Sequence, residues 1–134
     1  MRGLVASILG LGLAANGLTM LAAPVNWYAM VPGVVDTGPF NPHFVRDIGV
    51  AYFVTGGSLV WFAKWPAARS AAQAGAAFLV LHAAVHIWDA ATGREHVRQL
   101  LFDAPTVLLP PVLALWVAWS PFARPRNANE GEER

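Results

Sequence analysis

From Gly3 to Val35 the chain carries no formal charge, and within that stretch residues 4–23 read LVASILGLGLAANGLTMLAA. An unbroken apolar run of about 20 residues is what a helix needs to cross a hydrocarbon layer ~30 Å thick. The rival reading is a cleaved signal peptide, because Arg2 precedes the run and small residues close it, but the run exceeds the ~7–15 residue core of such signals. Composition points the same way: the chain is 56% hydrophobic and 13% charged, against roughly 25% charged in ordinary soluble domains.

Three more spans follow. The second must begin near His43, taking Arg46 and Asp47 into its first turn, the third runs from about Ser70 to Ala91, and the fourth from about Ala104 to Phe122. Pro110 and Pro111 are expected to kink the fourth. The expected fold is all-α: a four-helix transmembrane bundle over residues 1–122 (spans about 4–23, 43–63, 70–91 and 104–122), followed by a polar cytoplasmic tail over 123–134. Arg2, Lys64, Arg69, Arg124 and Arg126 share one side, so both termini are expected to be cytoplasmic in a multi-pass protein of the cell inner membrane. Tryptophans mark the same boundaries: Trp61, Trp65, Trp116 and Trp119 at the inner ends, and Trp27, Tyr28 and Trp88 at the outer.

Against this apolar background the stretch LHAAVHIWDA (81–90) stands out. At ~100° per residue His82, His86 and Asp89 fall within about a 60° arc of one helix. His82 is the deepest, about 13 Å below the outer end of its span at ~1.5 Å per residue. An ionisable side chain at that depth costs several kcal/mol unless paired or hydrated, so it reads as a functional site with partners to be named. The second span offers His43 and Asp47 at i and i+4, with Arg46 beside them, at the matching outer depth. Adjacent antiparallel helices let the two stripes face each other.

HxxxH on a helix is metal-ligand spacing, since both imidazoles can reach one ion and a facing helix can complete the set. The candidate ligands are His43, His82, His86, Asp47 and Asp89, with the carboxylates as ligands or orienting groups and Arg46 and His96 as charge partners or second-sphere residues. With no cysteine in the chain, nitrogen and oxygen donors suit a divalent transition metal such as zinc, iron or copper. Two alternatives stay open. One is a b-type haem held by His43 with His82 or His86, for electron transfer. The other is a membrane subunit without metal, whose Arg46 and Asp residues form a polar cluster that fixes helix register. His96, beside Arg94 and Glu95, reads more readily as a solvated loop residue than as a ligand.

Other classes are disfavoured. A formal net charge of +1, with the basic residues scattered, gives no nucleic-acid footprint. Membrane di-iron hydroxylases need about eight histidines, and this chain has four, so the reading leans away from an enzyme. The bilayer is the expected partner, with a homo-oligomer or a membrane complex both open.

Residues 24–42, PVNWYAMVPGVVDTGPFNP, are too apolar to hang in water and read as a segment folded onto the outer mouth, either as a lid or as an anchor. Asn41 and Pro42 are placed to start the second helix as N-cap and first residue. Ala6, Gly10 and Ala14, and Ala68, Ala72 and Ala76, form small-xxx-small rows for close packing.

The apolar first span, the loop ending in TGPFNPHFVRDIG (37–49), the glycine-rich second span AYFVTGGSLVWFA (51–63) and the two spans after it resemble the small four-helix bacterial membrane proteins of the DoxX-like group. The likeness covers most of the chain by layout and rests in detail on the RDIG region. It implies a four-helix inner-membrane bundle. HAAVHIWD is not a hallmark of that group, so the metal reading stands on spacing alone.

Overall fold

The computed structural model describes residues 1–36, 38–94 and 97–119, and among these all regular structure is helical. The helices are α1 (Arg2–Ala22), α2 (Pro24–Met30), α3 (Pro42–Lys64), α4 (Arg69–Ala91), α5 (Val97–Asp103) and α6 (Leu109–Trp119). Short 3-10 turns lie at Val34–Asp36 and Pro66–Ala68, and a π-helical segment, Ala104–Leu108, joins α5 to α6.

Local chemistry sets the ends. Ala23 and Trp65 each precede a proline, which disfavours helical backbone, and both leave the helical region, Ala23 with φ −140° and ψ 60° and Trp65 extended with φ −130° and ψ 100°. Asn41 caps α3 as the sequence predicts: its Oδ1 accepts from the His43 and Phe44 amides at 3.0 and 3.2 Å, with Pro42 as the first helical residue. At the end of α4, Gly93 takes φ +73°. The Arg94 and Gly93 amides then donate to Asp89 and Ala90 carbonyls at 2.9 and 3.3 Å, the hydrogen-bond pair of a Schellman cap.

The four long helices touch in a cycle: α1 packs on α3, α3 on α4, α4 on α6, and α6 closes on α1. The tightest seam is α1 against α3, built from glycines spaced seven apart on each helix. A Cβ added to Gly10 would lie 2.6 Å from the Gly56 carbonyl oxygen, and one added to Gly17 would lie 2.5 Å from that of Gly49. Seven residues return nearly to the same helix face, so both pairs hold one antiparallel seam with a small crossing angle. The Ala68, Ala72 and Ala76 row, which runs from the 3-10 turn into α4, is buried together with Gly75 and Leu79. Met20, Leu59, Phe62 and Val117 fill the interior between the helices.

The outside is as apolar as the inside, with larger side chains. Leu4, Ile8, Leu11 and Leu18 on α1, and Leu81, Val85, Ile87 and Trp88 on α4, are all exposed. Small residues line the seams, and bulky apolar side chains cover the outside, where a soluble surface carries polar ones. α1 and the Pro66–Ala91 segment are each long and apolar enough to cross a membrane, and only 28% of the most apolar window of each is buried. A helix at the centre of a soluble core is mostly buried.

Two expectations are refined. The fourth span is not one α-helix from Ala104, because Pro110 and Pro111 have no N–H for the carbonyls of Thr106 and Val107, and the chain before them takes a π geometry. Residues 120–122 and the 123–134 tail lie outside the described residues. The first loop is folded back as expected and is partly helical. The Trp27 indole donates to Asn16 Oδ1 at 2.9 Å, tying α2 to α1. The Tyr28 hydroxyl donates to the Gly38 carbonyl at 2.5 Å, and Gly33 abuts the Gln99 side chain of α5.

Candidate functional site

Since α1 seats Gly49 and Gly56, the rotation of α3 is fixed, and with it the residue that α3 offers to α4. That residue is Tyr52, buried on the α4 side. Its ring meets Phe78 at 5.5 Å and His82 at 5.6 Å, edge to face in both cases. Phe78 lies one turn from His82 and stacks on it at 5.9 Å with 24° between planes. His82 in turn meets His86 edge to face, with ring centroids 4.9 Å apart. The two imidazoles therefore sit side by side, half-buried, at the α3–α4 seam.

The expected facing of the HxxxD and HxxxH stripes is not what α3 presents. At ~100° per residue His43 and Asp47 lie about 180° and about 140° around the helix from Tyr52. They pair with each other, His43 Nε2 to Asp47 Oδ2 at 3.3 Å, with their side chains 86% and 61% exposed. Val50, Val54 and Trp61 are exposed farther along α3, so this pair belongs to the outward face. The glycine seam with α1 decides the rotation, and sequence spacing within α3 alone does not reveal it.

Asp89 pairs with Arg94 at 3.4 Å, across the Schellman turn that ends α4. Arg46 sends its Nε to the Leu21 carbonyl at 3.5 Å, so its partner is one of the last carbonyls of α1, which helical geometry leaves without an intrahelical donor. His96 lies outside the described residues. The five candidate ligands thus fall into three groups: His43 with Asp47, His82 with His86, and Asp89 with Arg94. Among the described residues no group of three or more His, Asp or Glu side chains stands together so as to hold a metal ion.

Two participants were missed by sequence reasoning. Tyr52 is one, and the signal for it was present: it lies at i−3 from the buried Thr55 and i+3 from the seam residue Gly49, on the inward stripe of α3. Asn16 is the other, a polar residue well inside an apolar span whose partner, Trp27, comes from the folded-back loop. Asn16 also donates to Met20 Sδ at 3.7 Å.

The charges at the two ends of the cycle differ. Arg2 places its guanidinium 5.6 Å over the Trp116 ring, joining the start of α1 to α6. Lys64 and Arg69, at the end of α3 and the start of α4, lie at that same end, where the described segments of residues 1–15, 54–88 and 104–119 contain no acidic residue. The opposite end holds the mixed set of His43, Arg46, Asp47, Asp89 and Arg94.

No family model, no curated protein and no solved structure matches this chain.

Proposed function

We propose that this chain is an integral inner-membrane protein of four spans, with both termini cytoplasmic, that holds a divalent transition-metal ion through His82 and His86. The observation that carries the metal reading is the His82–His86 pair itself: two imidazoles one helical turn apart, centroids at 4.9 Å, in an α4 stretch without formal charge. Imidazoles at i and i+4 can both reach one ion, and with no thiolate available the nitrogen set suits zinc, iron or copper. Asp89 lies three residues beyond His86 on the same stripe but pairs with Arg94, which leaves the two imidazoles as the protein ligands. The membrane reading is supported by the outward bulky side chains and by the two helices of spanning length. The orientation is supported by the gathering of the basic residues Arg2, Lys64 and Arg69 at one end.

The test is elemental analysis of detergent-purified protein. Near-stoichiometric metal in the wild type and in His43→Ala, with loss in His82→Ala and His86→Ala, is the expected result. Metal absent from the wild type, or unchanged by both α4 substitutions, sinks the proposal.

A second reading has its own observation, the packing of His82 between the rings of Tyr52 and Phe78. On that reading the imidazoles are seam-packing groups. Metal-free wild-type protein whose stability is retained in His82→Phe supports it.

A further inference from the structure

We propose that a second copy of this chain packs on the outward ridge of α3, the two α3 helices running parallel about a twofold axis normal to the membrane, with His43 of each copy meeting Asp47 of the other. The inference rests on the membrane reading above and is independent of the metal at His82 and His86.

One ridge of α3 is exposed along its length. Gly49 and Gly56 seat the helix on α1, and Tyr52 turns to α4. Opposite those neighbours lie His43, Asp47, Val50, Val54, Gly57 and Trp61, within about an 80° arc at ~100° per residue. All six are exposed, and their spacing alternates four and three residues. That alternation is the repeat with which parallel helices interlock at a small left-handed crossing, in membranes as in water.

This helix is also the long one least suited to face lipid. α1 and the Pro66–Ala91 segment are apolar enough to cross a membrane, whereas α3, with 23 residues, falls short of them. From Ile48 to Ala63 it carries no formal charge, which is about 24 Å of helix at ~1.5 Å per residue, some ~6 Å less than a hydrocarbon core of ~30 Å. The missing length is one turn, and the turn adjoining the run is that of His43 and Asp47. An imidazole and a carboxylate therefore sit at the hydrocarbon boundary on an outward ridge, where exposure to acyl chains is costly. The outward ridge of α1, with Leu4, Ile8, Leu11 and Leu18, is aliphatic and faces acyl chains without that cost.

Charge and symmetry select the occupant. Copies inserted in one orientation meet at equal depth about a twofold axis, and an isologous contact pairs residue i with residue j and j with i. In a parallel repeat of this spacing, the position of His43 packs against the following inward position of the partner helix, that of Asp47. An imidazole carries up to two N–H donors and a carboxylate accepts at both oxygens, so the His43–Asp47 pair, 3.3 Å apart within one chain, closes on its own copy with donors and acceptors alternating around the axis. Arg46 is engaged at the Leu21 carbonyl on the α1 flank. Lys64, next in the series, ends the helix, where its long stem reaches water.

The experiment uses single-cysteine variants of the full chain, which has no cysteine of its own, oxidised with copper phenanthroline in carbonate-washed membranes. Val54→Cys is expected to give a disulfide-linked product of twice the chain mass, while Leu11→Cys on α1 and Val85→Cys on α4 stay monomeric. Adding Asp47→Lys to Val54→Cys sets like charges against each other across the axis and should lower the linked fraction by about tenfold or more. Adding His43→Glu as well should restore it. These substitutions lie on the exposed ridge, outside the seams that hold the chain together. No linked Val54→Cys product, equal linking at all three sites, linkage to a different protein, or no recovery on the charge swap each overturns the proposal. Recovery of the chain in the carbonate wash sinks the membrane reading and the parallel pair with it, whereas a membrane-bound chain without the cross-link sinks the pair alone.

Discussion

Gly56 of α3 rests directly on the backbone of Gly10 of α1: a Cβ at Gly56 would meet the Gly10 carbonyl oxygen and lie 2.5 Å from the Ala14 amide nitrogen. The obstructing atoms are backbone, so a substituted side chain cannot be accommodated by rotating a neighbour. Gly56→Ala is expected to destabilise by about 1–3 kcal/mol and Gly56→Val by at least the upper end of that range. Gly57, one residue along, meets nothing within 4 Å. Gly57→Ala should instead be neutral or stabilising by ~0.5–1 kcal/mol, the helical cost of glycine. Reversible unfolding in mixed micelles compares the two, and equal effects at 56 and 57 would refute the seam.

The same seam explains how far the sequence could be read. Helix positions follow from charge-free runs and from local signals such as Asn41–Pro42, and these are within-helix properties. The small rows at Ala6–Gly10 and Ala68–Ala76 also mark buried faces correctly. What spacing within one helix does not encode is rotation relative to a neighbour. His43 and Asp47 lie at a suitable depth and spacing for the site, yet the Gly49 and Gly56 contacts with α1 turn them outward and bring Tyr52 to His82 instead. Reading Gly10, Gly17, Gly49 and Gly56 as two matching seven-residue pairs would have supplied that rotation. The π segment was half legible: the prolines announced an irregularity, while its form depends on how α4 and α6 pack around it.

The proposed topology makes an accessibility prediction that the absence of cysteine simplifies, since the wild type gives no thiol background. Ala67 and Ala91 are both exposed and lie at opposite ends of the Pro66–Ala91 segment. With the cationic end cytoplasmic, a membrane-impermeant maleimide should label Ala91→Cys in intact cells and Ala67→Cys only after permeabilisation. The reverse pattern would invert the protein, and labelling of both in intact cells would remove this segment from the membrane.

Pro110 and Pro111 are buried in α6, directly after the π segment Ala104–Leu108. Neither ring nitrogen can donate to the carbonyl four residues back, and each ring crowds that carbonyl. Replacing both prolines by alanine returns the two donors, so Ala104–Leu108 should revert to α geometry. A π turn accommodates one residue more than the α turn it replaces, and removing it rotates everything upstream by about 100° relative to α6. Gln99 of α5, which abuts Gly33 of the first loop, would then be carried away from it. A Gly33→Cys/Gln99→Cys pair reads this out: a cross-link should form in the proline background and fall to that of single-cysteine controls in Pro110→Ala/Pro111→Ala. The positive φ of Gly33 costs a cysteine there about 1 kcal/mol, equally in both backgrounds, so the comparison isolates the rotation. Unchanged cross-linking would mean that the α4–α6 packing, and not the prolines, holds the π segment.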